Sequence, residues 1–260
     1  MLQAIVFGAI QGLTEFLPVS SSGHLLIAHE LFDFNTGNDL FFDVMLHLAT
    51  ALAVIIYFRK DIWEVVKQFF VPSDGGAGRK WGIAIILGTI PAGICGLLFQ
   101  DQIETIFRNV KLVAIALIAG SILMYTADLF WRKRQNFEHI NFGKGLIIGC
   151  FQALALIPGI SRSGSTISGS LFSKLNREEA IRFSFLLSTP IIFGSALKEL
   201  LDIHSSFTQV FNTSLTAGFV ASFVFGLVAI HFMMKYLRTH TFSVFIWYRI
   251  ILAVLVLILI

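Results

Sequence analysis

Two short stretches hold nearly every polar group that the apolar parts of this chain do not explain. They are QGLTEFLPVSSSGH, residues 11 to 24, and GCFQALALIPGISRSGST, residues 149 to 166. Gln11 and Glu15 are four apart, so on a helix they share a face and can converge on a cation or a proton. Ser20, Ser21 and Ser22 follow Pro18 and precede a short returning segment. One serine is needed to cap the helix that begins there; three leave hydroxyls for a ligand, with Ser21 the expected nucleophile. His24, three residues beyond Ser21, is placed to act as general base or acid near neutral pH. In the second stretch, Arg162 requires an anion, because a guanidinium in lipid costs at least about 2.5–3.5 kcal/mol. Phosphate, bound bidentately, suits it; a structural pair with Glu15 is the other reading. Ser161, Ser163 and Thr166 add hydroxyls. A helix starting at each stretch aims its N–H groups and positive dipole end at one point, where an anion is expected.

Those groups must be positioned inside a bilayer. Of the 260 residues, 56% are hydrophobic and 13% charged, and the mean hydropathy is +0.80, which a water-soluble domain would not sustain. A spanning helix needs roughly 20 apolar residues, and six windows approach that length: 40–58, 81–100, 112–131, 183–201, 213–234 and 244–260. If each window crosses once, one face collects Arg59, Lys60, Lys67, Arg79, Lys80, Arg132, Lys133, Arg134, Lys144, Lys174, Arg177, Arg182, Lys235 and Arg238. The other receives only Arg108, Lys111 and Lys198. The positive-inside rule makes the first face cytoplasmic and puts both termini opposite it. No Lys or Arg precedes Arg59, so residues 1–39 lack a signal peptide's positive start and are expected to remain as structure.

Residues 1–39 and 144–181 are apolar but broken by Pro, Gly and Ser, and each must begin and end on one face for the charges to agree. They read as re-entrant hairpins entering from opposite sides. Sliding the chain on itself by 141 residues pairs Gly8 with Gly149, Gln11 with Gln152, Ser20 with Ser161, Ser22 with Ser163 and Gly23 with Gly164. Phe42 with Phe183 and Leu46 with Leu187 fall on the same offset. The expected fold is thus an all-α integral membrane protein with six transmembrane helices and two re-entrant helical hairpins, arranged as an inverted-topology repeat. A single membrane domain covers 1–260, its first repeat about 1–141 and its second about 142–260. Inverted repeats with discontinuous helices place their site near the midplane, so tips 17–23 and 158–165 are expected to meet there.

Other signals are weaker. Cys95 and Cys150 lack metal spacing and read as packing residues. His29, His47, Asp43, His231 and Arg249 have no partner cluster along the chain and read as structural or interfacial. There is no Walker loop, zinc pattern, dinucleotide glycine set or basic patch with exposed aromatics.

The two motifs together resemble the bacterial undecaprenyl-diphosphate phosphatase family, the bacitracin-resistance type, over essentially the full chain. QGLTEFLPVSSSGH is similar to that family's (E/Q)xxxE pair running into PVSSxGH, and PGISRSGST to its PGxSRSxxT signature. The resemblance implies hydrolysis of the C55 isoprenyl diphosphate to the monophosphate. That reaction recycles the lipid carrier for peptidoglycan and envelope polymers and confers bacitracin resistance. It also implies Mg²⁺ or Ca²⁺, a multi-pass bacterial inner-membrane location and a site opening to the periplasmic side. Carried onto this chain, Glu15, Ser21, His24 and Arg162 are catalytic, and Gln11, Ser20, Ser161, Ser163 and Thr166 bind substrate; Ser22, at the motif's variable position, is expected to join them from its place in the serine run. Gln11 removes one of two carboxylates, so Glu15 and substrate phosphate oxygens are the expected metal ligands. The expected partners are the polyprenyl diphosphate and membrane lipid, not nucleic acid; a homodimer is left open. The nucleophile stays open among Ser21 assisted by His24, His24 itself and a metal-activated water. A lipid-phosphate transporter or flippase using the same midplane site is the competing class. A non-catalytic lipid-binding scaffold leaves the Ser, His and Glu set unexplained.

Overall fold

The computed structural model describes residues 1–32, 39–71, 76–106, 109–134, 136–202 and 212–259. Arg108 and Ile260, used above, lie outside the described residues. The described chain is all-helical, in eleven helices: α1 Leu2–Phe16, α2 Ser21–Leu31, α3 Asp39–Tyr57, α4 Arg59–Phe70, α5 Ala77–Ile106, α6 Val110–Arg132, α7 Phe142–Leu154, α8 Arg162–Phe172, α9 Arg177–Asp202, α10 Thr213–Tyr236 and α11 Ser243–Leu259.

Among the described residues, five helices are long and apolar enough to cross a membrane, within α3, α5, α6, α9 and α10. The protein is therefore a multi-pass membrane protein. The sixth expected span is shorter: α11 has 17 residues, about 26 Å of rise against a hydrocarbon core of about 30 Å. Apolar side chains such as Ile86, Leu97, Ile122, Val228 and Leu255 remain exposed on the outer faces. Lipid is the solvent that makes such a surface stable.

Both predicted hairpin regions are helix–break–helix units. Leu17 takes extended angles, φ −69° and ψ 139°, because Pro18 disfavours the helical region for the residue before it. The α7 helix stops at Leu154, ahead of Pro158, and resumes at Arg162. The returning helices start alike: Ser20 caps α2 by accepting from the Gly23 N–H, and Ser161 caps α8 by accepting from the Gly164 N–H.

Packing interleaves the halves of the chain. The first helix, α1, packs mainly against α10, and α7 packs against α5. Glycine makes both crossings close. A β-carbon at Gly8 would lie 2.2 Å from the Gly218 carbonyl oxygen, and one at Gly149 would lie 2.4 Å from that of Gly88. The largest apolar cluster joins Phe16, Val54, Met124, Ile148, Ile167, Phe183, Phe185 and Ile230, so the core lies directly around the two breaks.

The basic face assembles as the charges predict. Asp128 pairs with Arg132 and Arg177, Glu138 with Lys144 and Lys174, Glu178 with Arg238, and Asp61 with Arg182. The Glu138 carboxyl, exposed in the loop before α7, is held below the usual carboxylate range by Lys174 and then Lys144. Cys95 and Cys150 are free, and Cys150 is exposed on α7, which places it on the outer surface and not in packing.

Candidate active site at the two helix breaks

The break after α1 and the break before α8 are bonded to each other. The Gly159 N–H donates to Ser20 Oγ at 3.1 Å, and Ser163 Oγ donates to the Leu17 carbonyl at 3.1 Å. The expected meeting of tips 17–23 and 158–165 is therefore what the structure contains. Ser20 and Ser161 both have positive φ, 75° and 77°, a region that non-glycine residues enter only when surrounding contacts enforce it. At Gly159, φ is +103° and a β-carbon would sit 2.5 Å from the Val113 carbonyl oxygen, so glycine is required there.

Glu15 is the centre of the polar cluster and is almost completely buried. Its Oε1 is ion-paired with Arg162, and its Oε2 accepts from Gln11 Nε2 at 2.8 Å and from Ser21 Oγ at 2.6 Å. Carboxylate and guanidinium thus come from different halves of the chain and neutralise each other inside the fold. Gln11 Nε2 also lies 2.7 Å from His47 Nδ1. With both amide hydrogens engaged, Gln11 Oε1 is left buried without a donor.

The geometry corrects one expectation. Ser21 donates to Glu15, and both ring nitrogens of His24 are engaged elsewhere, so the group hydrogen-bonded to Ser21 in this structure is Glu15 and not His24. His24 Nδ1 lies 2.7 Å from the Ser20 carbonyl oxygen and Nε2 2.7 Å from the Tyr248 hydroxyl. A carbonyl only accepts, so Nδ1 carries the proton and Nε2 accepts from Tyr248 in the neutral ring. The reason is directional: side chains lean toward the helix N-terminus, so position 24 falls over the carbonyl four residues earlier, while Ser21 at the first turn faces back to α1.

The remaining predicted residues split. Ser20 and Ser22 hydroxyls are 3.5 Å apart, and Ser161 and Ser163 hydroxyls 3.3 Å. Thr166, fully buried, is bonded to the Arg162 carbonyl at 2.7 Å and to Ser184, which commits its hydroxyl to holding α8 against α9. A narrow crevice between the helices, with no room for a water molecule in this structure, is lined by Glu15, Phe16, Arg162, Ser163, Ser184, Phe185 and Ser188. The Arg162 side chain and three serines, Ser163, Ser184 and Ser188, are among its walls.

Four residues of this constellation were not anticipated from sequence: His47 beside Gln11 and Glu15, Tyr248 on His24, Ser184 on Thr166, and Arg249. The last is fully buried and donates to backbone oxygens of both breaks. Each was visible only as a polar residue in an apolar run. His29 pairs instead with Asp43 at 3.2 Å, and His231 lies 3.4 Å from the Tyr57 hydroxyl.

Divalent metal needs hard oxygen ligands. Among the described residues no group of three His, Cys, Asp or Glu side chains could hold an ion. Mg²⁺, however, is commonly bound by one or two carboxylates together with substrate phosphates. Glu15 and the unpartnered Gln11 Oε1 fit that smaller role.

Comparison with known proteins agrees with the motifs. The family model for bacitracin resistance protein BacA matches residues 4–255. The undecaprenyl-diphosphatase of Elusimicrobium minutum is 43% identical over 257 residues, covering 99% of this chain and 97% of the relative. That of Mycolicibacterium smegmatis is 43% identical over 263 residues, covering 98% and 95%. Undecaprenyl-diphosphatase 3 of Bacillus cereus is 40% identical over 259 residues, covering 99% and 96%. By motif, by family match and by full-length similarity, the chain belongs to the bacitracin resistance protein BacA family.

Proposed function

We propose that this protein hydrolyses undecaprenyl diphosphate to undecaprenyl phosphate and orthophosphate between the two helix breaks. This recycles the lipid carrier for peptidoglycan and other envelope polymers and confers bacitracin resistance. The observation that carries the placement is the convergence of Ser21 and Arg162, from two distant segments, onto the Glu15 carboxylate. Arg162 releases Glu15 when the diphosphate enters, exchanging a carboxylate for phosphate oxygens and stabilising charge on the phosphoryl group. Glu15 Oε2 takes the Ser21 proton as Oγ attacks the terminal phosphorus. The bond to the bridging oxygen breaks, and undecaprenyl phosphate leaves. Water then cleaves the phosphoserine to give orthophosphate and restores the Ser21 hydroxyl. His24 exchanges Tyr248 for substrate and moves a proton at Nε2. Ser20, Ser22, Ser161 and Ser163 orient the phosphates, with Thr166 acting through its grip on α9. Mg²⁺ or Ca²⁺, held by Glu15 and Gln11 with phosphate oxygens, supplies charge neutralisation when bound.

The topology we infer has six crossings, with α11 as the sixth, and the units α1–α2 and α7–α8 as re-entrant hairpins of an inverted repeat. Supporting it are the matched φ values of Ser20 and Ser161 and their matched caps, both on the 141-residue offset, as are Gly8 and Gly149, each of which sits at a close helix crossing. The basic face is cytoplasmic, in the bacterial inner membrane, and the site opens to the periplasmic side with the polyprenyl tail in lipid. The same two-tip arrangement between packed halves favours one second reading, transport of a lipid phosphate across the bilayer. Retained transport in vesicles by a hydrolysis-dead Ser21→Ala protein would establish it.

The deciding experiment is orthophosphate release from undecaprenyl diphosphate by the detergent-purified protein, with and without Mg²⁺, for the native chain and Arg162→Ala. Release that requires Arg162 supports the assignment. No release from well-folded native protein overturns it.

A further inference from the structure

Arg249 lies on α11, far in sequence from either break, yet among the described residues it is the largest fully buried side chain. Among the described residues it has no carboxylate partner; all its hydrogen bonds go to uncharged oxygens. Nη1 donates to the Pro18 carbonyl at 3.0 Å, and Nη2 donates to the carbonyls of Gly159 at 2.8 Å and Ile160 at 3.1 Å. Nε and Nη2 reach the Leu117 carbonyl at 3.3 and 3.0 Å, and Nε reaches Ser121 Oγ at 3.1 Å. Pro18 belongs to the first break, Gly159 and Ile160 to the second, and Leu117 and Ser121 to α6. A single planar fork therefore ties three segments together. The fold makes room for it: a β-carbon at Gly120 would lie 2.2 Å from Arg249 Nη2 and 2.6 Å from the Ile160 carbonyl oxygen.

Non-helical carbonyls at this depth have no water to bond, and the fork serves the Pro18, Gly159 and Ile160 carbonyls at once. Those carbonyls lie one or two residues before Ser20 and Ser161, whose positive φ values set the direction of α2 and α8. We propose that Arg249 is the positioning residue of the active site: it holds the two breaks in register so that Ser21, Glu15 and Arg162 face one phosphate. Its charge, not cancelled by a carboxylate, also makes the junction attractive to an anion. This inference takes the breaks as the catalytic site proposed above.

A positioning role separates from substrate contact in kinetics. Displacing reacting groups by about 1 Å costs on the order of a hundredfold in rate, while the phosphate contacts made by Arg162 and the hydroxyls survive. Arg249→Lys keeps the charge and loses the planar fork. With native undecaprenyl diphosphatase activity established as the reference, Arg249→Lys is expected to lose about a hundredfold in kcat with KM within about threefold of native. Its purified protein is expected to elute as native in detergent. A native kcat in Arg249→Lys, or an effect confined to KM, would overturn the proposal. If Arg249→Lys fails to fold, Ser121→Ala removes a single acceptor of the fork, and a several-fold fall in kcat at unchanged KM is expected. An unchanged kcat in that variant overturns the proposal as well. Failure of the catalytic reading is distinguishable, because it appears as activity that survives Arg162→Ala.

Discussion

The two helix breaks share a backbone and differ in chemistry. In each, a serine with positive φ caps a short helix by accepting from the glycine three residues on, and a second serine hydroxyl lies beside the first. At the offset of 141, however, Ser21 coincides with Arg162, Glu15 with Leu156 and His24 with Ser165. In the proposed reaction one break supplies the acid–base and nucleophilic groups, and the other supplies the cation. Hydroxyls of the second are turned inward, with Ser165 bonded to the Phe151 carbonyl, Ser168 to that of Gly164 and Ser170 to that of Thr166. Two serine-capped turns of one backbone form would thus divide the proposed reaction, because the side chains at matching positions diverge.

The comparison is sharpest at Ser21 and Arg162. Ser21→Ala is expected to lower orthophosphate release by on the order of a thousandfold or more and to abolish acid-stable labelling of the protein by terminal-labelled substrate. Label found on His24 instead would assign the nucleophile there. Arg162→Lys is expected to lose on the order of a hundredfold, since a lysine cannot hold phosphate bidentately; near-native turnover would show that only charge is needed at the second break. Replacing the capping serines separates the two turns more gently. Glycine tolerates the positive φ, but Ser20 Oγ also receives the Gly159 N–H. Ser20→Gly should therefore cost about tenfold in kcat, and Ser161→Gly only about twofold. Equal losses in the two would make the turns functionally equivalent. Gln11→Glu is expected to lower the half-saturating Mg²⁺ concentration severalfold by adding a carboxylate beside Glu15, while Gln152→Glu leaves it unchanged. Titration of activity against Mg²⁺ checks both. The smallest effect belongs to Gln152→Leu. Gln152 Nε2 makes one long bond to the Gly88 carbonyl and its Oε1 has no donor, so thermal stability should move by no more than about 1 kcal/mol.

Much of this arrangement was legible along the chain because two costs are local. A carboxylate, a guanidinium and runs of serine in apolar surroundings stand out one residue at a time, and the four-residue spacing of Gln11 and Glu15 places them on one face. The breaks were legible through Pro18, Pro158 and their neighbouring glycine and serine. What escaped was whatever a distant helix contributes. Arg249 meets Pro18 across 231 positions and Ser121 across 128, and Tyr248 meets His24 across 224; no periodicity encodes such meetings. The exchange of His24 for Glu15 as the neighbour of Ser21 had a different source. Helical reach alone permits either residue, and the choice is made by how α1 approaches the first turn of α2.

The close glycine crossing of α1 and α10 bears on how the protein is made. The α1 helix leaves the ribosome long before the surface it fits, around Gly218, which is synthesised about two hundred residues later. Until then its glycine face and the carboxylate of Glu15 must wait without their final neighbours, Glu15 lacking Arg162 for most of that interval. With the site proposed here, phosphatase activity is therefore expected only once α8 has been delivered, and to appear in full as α10 and α11 dock.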